Sequence, residues 1–242
     1  MKKLQLLALS LLLTAGANAQ WGNKINGNGN VVTINRTTSD YDGVDMSGSF
    51  DVELVKGQEG KLSLTGEENL LEYIVTEVKD GKLTIKTEKG VNLSPSHNKG
   101  ISLRIPIESI DALSLSGSGD IIGRTPIRTE NFKTALSGSG DITVEVEAHV
   151  VSAVMSGSGD IELNGKCTDL DIKVSGSGDI DTYGLAADNV DVLISGSADV
   201  EVTANQSLKA RVSGSGDISY KGNPQKVDTK SSGSGDISKG GD

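Results

Sequence analysis

The sequence predicts an all-β chain: a single-stranded β-solenoid of about 19–20 residues per coil, preceded by a β-rich N-terminal head. Three observations carry this. The phrase Ser-Gly-Ser-Gly-Asp starts at Ser116, Ser137, Ser156, Ser175, Ser213 and Ser232, with Ser-Gly-Ser-Ala-Asp at Ser195, at intervals of 21, 19, 19, 20, 18 and 19 residues. Apolar residues around each phrase fall on one parity, the period of a strand with one buried face. The composition, with 31 Gly, 4 Pro and many β-branched residues, suits short strands and turns.

A unit this short cannot bury an apolar face alone, so neighbouring coils must stack. Counting from the first Ser, position −5 holds Phe132, Val151, Leu170, Val190, Leu208 and Val227, and the first coil departs with Asp111. Position −1 holds Leu115, Leu136, Met155, Val174, Ile194 and Val212, then Ser231. Position −3 is mixed, with Leu113, Thr134, Ala153, Ile172, Val192, Ala210 and Thr229. Position +5 is nearly uniform: Ile121, Ile142, Ile161, Ile180, Val200, Ile218 and Ile237. Stacked at about 4.8 Å, seven coils make a rod about 34 Å long. Each coil places three to four apolar side chains inward, each contributing about 1.5–3 kcal/mol. Ordering the coil costs more than that, so neighbours must share the stabilisation.

The Gly residues of the phrase, such as Gly138 and Gly140, share the inward parity. They predict either a pinched coil or a corner that uses the positive φ open to Gly, and the corner is preferred. Ala198 in the variant phrase argues against a strict positive-φ demand at the second Gly.

At the N-terminus, Lys2 and Lys3 precede an apolar run from Leu4 to Leu13, and Ala17-Asn18-Ala19 fits a cleavage site. Residues 1–19 therefore read as a signal peptide of an exported protein, with Gln20 as the mature start. The run is shorter than the ~20 residues of a membrane-spanning helix, so no span is expected after cleavage.

The head, residues 20–110, starts with a Gly- and Asn-rich stretch at 22–30 that reads as loose. A strand follows at Val31 to Asn35. Met46-Ser47-Gly48-Ser49-Phe50-Asp51-Val52 repeats the frame with Phe at the second Gly and predicts a degenerate coil at the head of the stack. Strands are expected at Asp51–Val55 and Leu62–Thr65, with one helical turn at Glu67–Leu71. Tyr73–Lys79 and Lys82–Glu88 flank Asp80-Gly81, the signal of a type I′ hairpin. A loop at 89–100 leads to a strand at Ile101–Ile107. The hairpin is expected to shield an open sheet edge. Residues 111–242 form the solenoid, and 20–242 read as one structural unit.

The strand Phe50-Asp51-Val52-Glu53-Leu54, the segment Gly66-Glu67-Glu68-Asn69-Leu70-Leu71 and the hairpin Val78-Lys79-Asp80-Gly81-Lys82-Leu83-Thr84-Ile85 resemble the head GIN domain family, described as putative auto-transporter adhesins. The Ser-Gly-Ser-Gly-Asp coils are similar to that family's repeated body. The resemblance implies a right-handed parallel β-helix on or near a Gram-negative envelope and supplies no catalytic residues. No translocating barrel segment follows the repeats, so a self-sufficient autotransporter is not expected.

Charge narrows the partners. The chain carries −10, and removing Lys2 and Lys3 takes it to −12, which disfavours nucleic acid and anionic lipid. Cys167 is the only cysteine, so no internal disulfide forms, and it reads as a small buried residue. His97 and His149 lack evident partners, and no convergent constellation points to an enzyme.

The candidate site is the ladder Asp120, Asp141, Asp160, Asp179, Asp199, Asp217 and Asp236. One reading is structural, with each Asp accepting backbone N–H bonds at a turn. The other is a row of weak Ca²⁺ sites with carboxylate ligands from adjacent coils. Like charges at this spacing repel by about 0.9 kcal/mol per pair in water, so a metal is not required. The functional expectation is a non-catalytic envelope or surface module of adhesin type, in the periplasm, on the outer membrane or outside the cell. Its partner is an unknown protein or a surface glycan. Aromatic residues, 3% of the chain, are sparse for a sugar platform, and Trp21 lies at the N-terminus. A structural or sensory scaffold that binds a partner protein is the alternative, with a polysaccharide-active enzyme behind it. The last coil, poor in apolar residues at Thr229 and Ser231, suggests an end that frays or pairs with another chain.

Overall fold

Repeating sequence columns become paired rows in the structure, a computed structural model that describes residues 22–240. The expected signal peptide, residues 1–19, and Trp21 lie outside the described residues. The head contains β1 (Asn23–Asn26), β2 (Val31–Thr37), β3 (Gly43–Gly48), β4 (Asp51–Lys56), β5 (Lys61–Glu67), α1 (Glu68–Leu71), β6 (Ile74–Lys79), β7 (Lys82–Thr87), β8 (Val91–Ser94) and β9 (Ser102–Ile107). The body contains β10 (Ala112–Gly117), β11 (Ile121–Gly123), β12 (Ile127–Leu136), β13 (Ile142–Met155), β14 (Ile161–Val174), β15 (Ile180–Gly196), β16 (Val200–Gly214), β17 (Ile218–Lys221), β18 (Lys226–Gly233) and β19 (Ile237–Lys239).

In the body each coil is essentially one bent strand, and the phrase is its corner. Pairing is parallel and joins equivalent positions. Ile142 pairs with Ile161, Ile180 follows, then Val200, Ile218 and Ile237. Phe132 lies on Val151, Leu170, Val190 and Leu208 in turn, and these five are 0–3% exposed. The same column arithmetic therefore sets register and core together. A slip of one residue would turn every inward side chain to solvent.

Unequal intervals have local causes. The 20-residue coil shifts register against both neighbours, opposite Glu162–Gly165 of the preceding coil and between its own Thr182 and Ala186, where a β-bulge absorbs extra residues. The 21-residue coil is broken between β11 and β12 at Arg124-Thr125-Pro126, where proline cannot donate to a ladder.

The head departs from a simple linear stack. The phrase coil β3–β4 pairs in register with the first regular coil, Met46 with Leu115 and Val52 with Ile121. It is not the terminal rung, as the sequence suggests. The chain leaves at Gly57, and β7 and β9 return on its far side, placing Leu83 on Val44 and Leu103 on Val52. A rung assembled from distant segments thus lies outside the degenerate coil. β5 and β6 then extend this end by antiparallel pairing with β9 and β7, and β2 pairs antiparallel with β5 beyond them. The β6–β7 turn has φ of 51° at Asp80 and 74° at Gly81, as a type I′ turn requires.

Residues 22–30 are more ordered than their composition suggests. β1 pairs in parallel with β8, inside the stretch read as a 12-residue loop, and Ile25 and Leu93 pack on the core. This pairing spans nearly seventy residues, beyond the reach of local pattern. Arg36 fastens the neighbouring elements by donating to the carbonyls of Leu71 and Ile74.

The opposite end of the rod is open. β18 is exposed along its length, including Val227, Thr229 and Ser231. Lys226 and Lys230 on this strand are charges of the kind that blunt edge-to-edge pairing.

Candidate functional site

The seven Asp of the candidate ladder are brought into one line along the corner of the rod. The first six, Asp120 to Asp217, each use a carboxylate oxygen to bind the next coil. Oδ1 of Asp120 accepts the backbone N–H of Asp141 at 3.1 Å. Oδ1 of Asp141 accepts that of Asp160, and Asp160 that of Asp179, both at 2.9 Å. Asp179, Asp199 and Asp217 continue the series to Asp199, Asp217 and Asp236. Asp51 of the degenerate coil starts it, accepting from Asp120 at 3.4 Å. In the reverse direction each Asp carbonyl accepts from the apolar residue at +5 on the preceding coil, as from Ile142 N to Asp160 O at 2.9 Å. The carboxylates thus accept N–H groups of the next coil, whereas an Asx turn would use their own turn.

The phrase glycines stand beside this line and explain its tightness. A Cβ on Gly138 would lie 2.0 Å from the carbonyl oxygen of Gly117, and one on Gly140 the same distance from that of Gly119. Later phrases repeat the approach, with 2.1 Å from Gly157 to Gly138 and 2.0 Å from Gly159 to Gly140. Left-handed φ occurs at the first Gly only in some coils, such as Gly117 and Gly214. Contact between coils, more than a φ demand at the corner, is the reason common to all phrases. Where the second column carries a side chain, as at Phe50 and Ala198, it is buried.

Among the described residues no group of three or more His, Cys, Asp or Glu side chains is gathered as a metal site. His149 contacts the Thr168 hydroxyl at 3.0 Å. Cys167 is buried, and desolvation, reinforced by Asp169 and Asp188, pushes its thiol pKa up to about 12. It remains a thiol at neutral pH and is a poor nucleophile. On the outer face beyond the Asp corner, burial first and Asp181 second raise the Glu201 carboxyl pKa, while Lys221 opposes them. Lys221 also stands 4.0 Å from the centre of the Tyr183 ring.

Among the described residues of the head, Glu67 is the one fully buried carboxylate. It accepts from Ser96 Oγ and Ser96 N at 2.7 Å each and from Gly29 N at 2.5 Å. The Ser96 hydroxyl and amide hold its pKa below the usual carboxylate range. It ties the N-terminal stretch, the loop after β8 and the start of α1 at one point.

A groove of mixed polar and apolar lining runs lengthwise along the repeat, and none of the ladder Asp residues lines it. Its floor is the position −6 column, Asn131, Val150, Asp169, Asn189, Ser207 and Lys226, which pair in sequence on β12 to β16 and β18. Three cavities of about 440, 450 and 290 Å³ follow it. The first two share Val150, and the last two share Asn189 and Ser207. Asn189 Nδ2 donates to Asp169 Oδ1 at 3.0 Å, and Ser207 Oγ to Asn189 Oδ1 at 2.8 Å. Sequence reasoning followed the inward columns and missed this outward one. Its mixture of amide, hydroxyl and charge, with Val150 among them, stands one residue before each position −5.

A sequence model of the family described as "Putative auto-transporter adhesin, head GIN domain" matches residues 40–224. No curated protein matches the chain. Among solved structures, a putative adhesin from Bacteroides fragilis is 22% identical, with a TM-score of 0.82, covering 88% of this chain and 98% of that one. A putative adhesin from Parabacteroides merdae is 23% identical, with a TM-score of 0.70, covering 90% and 100%. A protein from Parabacteroides distasonis named as a putative lipid binding protein is 29% identical, with a TM-score of 0.73, covering 90% and 100%. The fold is therefore shared along nearly the whole rod, and the chain belongs to the head GIN domain family of putative auto-transporter adhesins.

Proposed function

We propose that this chain is an exported, non-catalytic adhesin-like binding module displayed on the cell surface or outer envelope. Family membership over residues 40–224 is the observation that carries the reading. The body supports it as a stiff display rod, because a continuous apolar ladder leaves little freedom between coils. The groups best suited to nucleophilic chemistry are otherwise engaged: Cys167 is buried as a thiol, and His149 contacts Thr168. The lipid-binding name of one similar structure would call for an apolar chamber. Here residues such as Leu163, Ile172, Val192 and Val202 fill the interior and are 0% exposed.

Surface labelling of intact cells that express a tagged full chain tests the proposal, with fractionation of the same cells. Labelling without cell lysis is expected. Recovery of the protein solely in the periplasm would overturn surface display and favour the structural or sensory scaffold.

A further inference from the structure

The geometry points to the longitudinal groove as a binding site for a neutral linear polysaccharide, with about one sugar residue per coil. The inference rests on the adhesin-like reading and names the ligand class of that module. Three linked cavities along the position −6 column span five coil steps, about 24 Å at 4.8 Å each. That spacing is close to the length of a pyranose residue in an extended chain. Sequential sugars would therefore meet equivalent positions on sequential coils.

The chemistry of the floor suits hydroxyl groups. Asp169, Asn189 and Ser207 are already fixed by their mutual hydrogen bonds. Each retains further capacity: Asn189 a second amide hydrogen, Ser207 its lone pairs, and Asp169 additional acceptor sites. A sugar hydroxyl both donates and accepts, so it can use all three. Charges of both signs line the groove, and some are paired within the protein, while Asp111, Lys133 and Lys226 stand outside the ion pairs of the described residues. Lys173 Nζ is 2.9 Å from Asp171 Oδ1, and Lys209 pairs with Asp191. A neutral polymer leaves these pairs intact, whereas a charged one must compete with them.

An extended peptide fits less well. Strand addition needs a free backbone edge, and at the groove the strands β12 to β16 are paired with neighbours on both sides. Phe132, the aromatic residue at one cavity, is fully buried. Sugar stacking is thus replaced by hydrogen bonds repeated from coil to coil, and affinity must accumulate with length.

Calorimetric titration of the purified mature protein with glucose, mannose and N-acetylglucosamine oligomers, from one to six residues, tests the site. At least one series should show affinity rising about tenfold or more from dimer to hexamer, as expected for linked weak contacts. Binding should change little with added salt. Val150→Arg, at the joint of the two larger cavities, should remove binding, while Thr143→Arg on another outer face should leave it. Both variants must keep the parent melting temperature, and a destabilised Val150→Arg is replaced by Ser152→Arg. Absence of length-dependent binding in every series, or retention of it in the blocked variant, would overturn the proposal. So would preferential binding of an extended peptide of matching length. A blocked variant that still mediates adhesion overturns the groove alone. Intact sugar binding by a protein that never reaches the surface overturns the display reading alone.

Discussion

The backbone N–H of Asp160 donates to Oδ1 of Asp141 at 2.9 Å, one coil away, and Oδ1 of Asp160 receives the N–H of Asp179 at the same distance. The side chain is therefore an acceptor built into the ladder between coils. Asp160→Ala should destabilise the rod by about 1 kcal/mol, the scale of one lost hydrogen bond with an unpaired donor left behind. Asp160→Asn keeps the acceptor oxygen and removes a like charge from the line, so it should stay close to the parent. Thermal denaturation of both variants checks the contrast. Equal damage from Ala and Asn would show that the charge, and not the acceptor, matters.

Gly140 tests the close approach of coils. A side chain there meets the Gly119 carbonyl at 2.0 Å, so Gly140→Val should cost about 3 kcal/mol or prevent folding. Gly140→Ala should cost less, because Ala198 shows that a coil can adjust to a methyl at this column. Gly100 has open space around it and serves as the neutral control as Gly100→Ala. Denaturant unfolding of the three variants gives the ranking.

Thr134 stands between Leu113 and Ala153 in the inward position −3 column, 2% exposed, and its Oγ1 has no hydrogen-bond partner. Thr134→Val replaces that hydroxyl with a methyl of similar shape. It should stabilise the protein by about 1 kcal/mol, visible as a higher denaturant midpoint with an unchanged slope. A lower midpoint would indicate that the hydroxyl is satisfied in solution.

Glu67 makes the head sensitive to acid. Its folded pKa is lowered by Ser96 and Gly29, so its stabilising effect is fully present above the unfolded carboxyl value of about 4.3. It is lost as pH falls through the lower folded value. Glu67→Gln should remove this part of the acid dependence and release residues 22–30 to proteolysis. Hydrogen exchange by segment should show β1 and β8 weakened and β13 to β16 unaffected. Uniform loosening of the whole rod would contradict a local latch.

The periodic part of the chain was the legible part. A phrase that recurs at coil length puts equivalent residues on neighbouring strands, so Ile142, Ile161 and Ile180 could be aligned from their numbers alone. The same logic brought the Asp residues into one line. It could not assign their bonds, because a carboxylate capping its own turn and one capping the next coil have identical spacing. The head resisted for another reason. β7 and β9 occupy opposite stretches of one rung although a β8 excursion separates them, and no periodic signal links Leu83 to Val44 or Leu103 to Val52.

By itself, the sequence determined that coils must stack, which residues face inward and where each corner falls, since these follow from period-two burial and a repeat too short to stand alone. Tertiary structure decided which rung closes the head, that Glu67 is sealed beneath Gly29 and Ser96, and that Asp169, Asn189 and Ser207 share one groove. Those outcomes depend on contacts between segments that no local pattern relates. Their geometry is set by how the coils pack at a few ångströms, where a single carbonyl, methyl or carboxylate decides what fits.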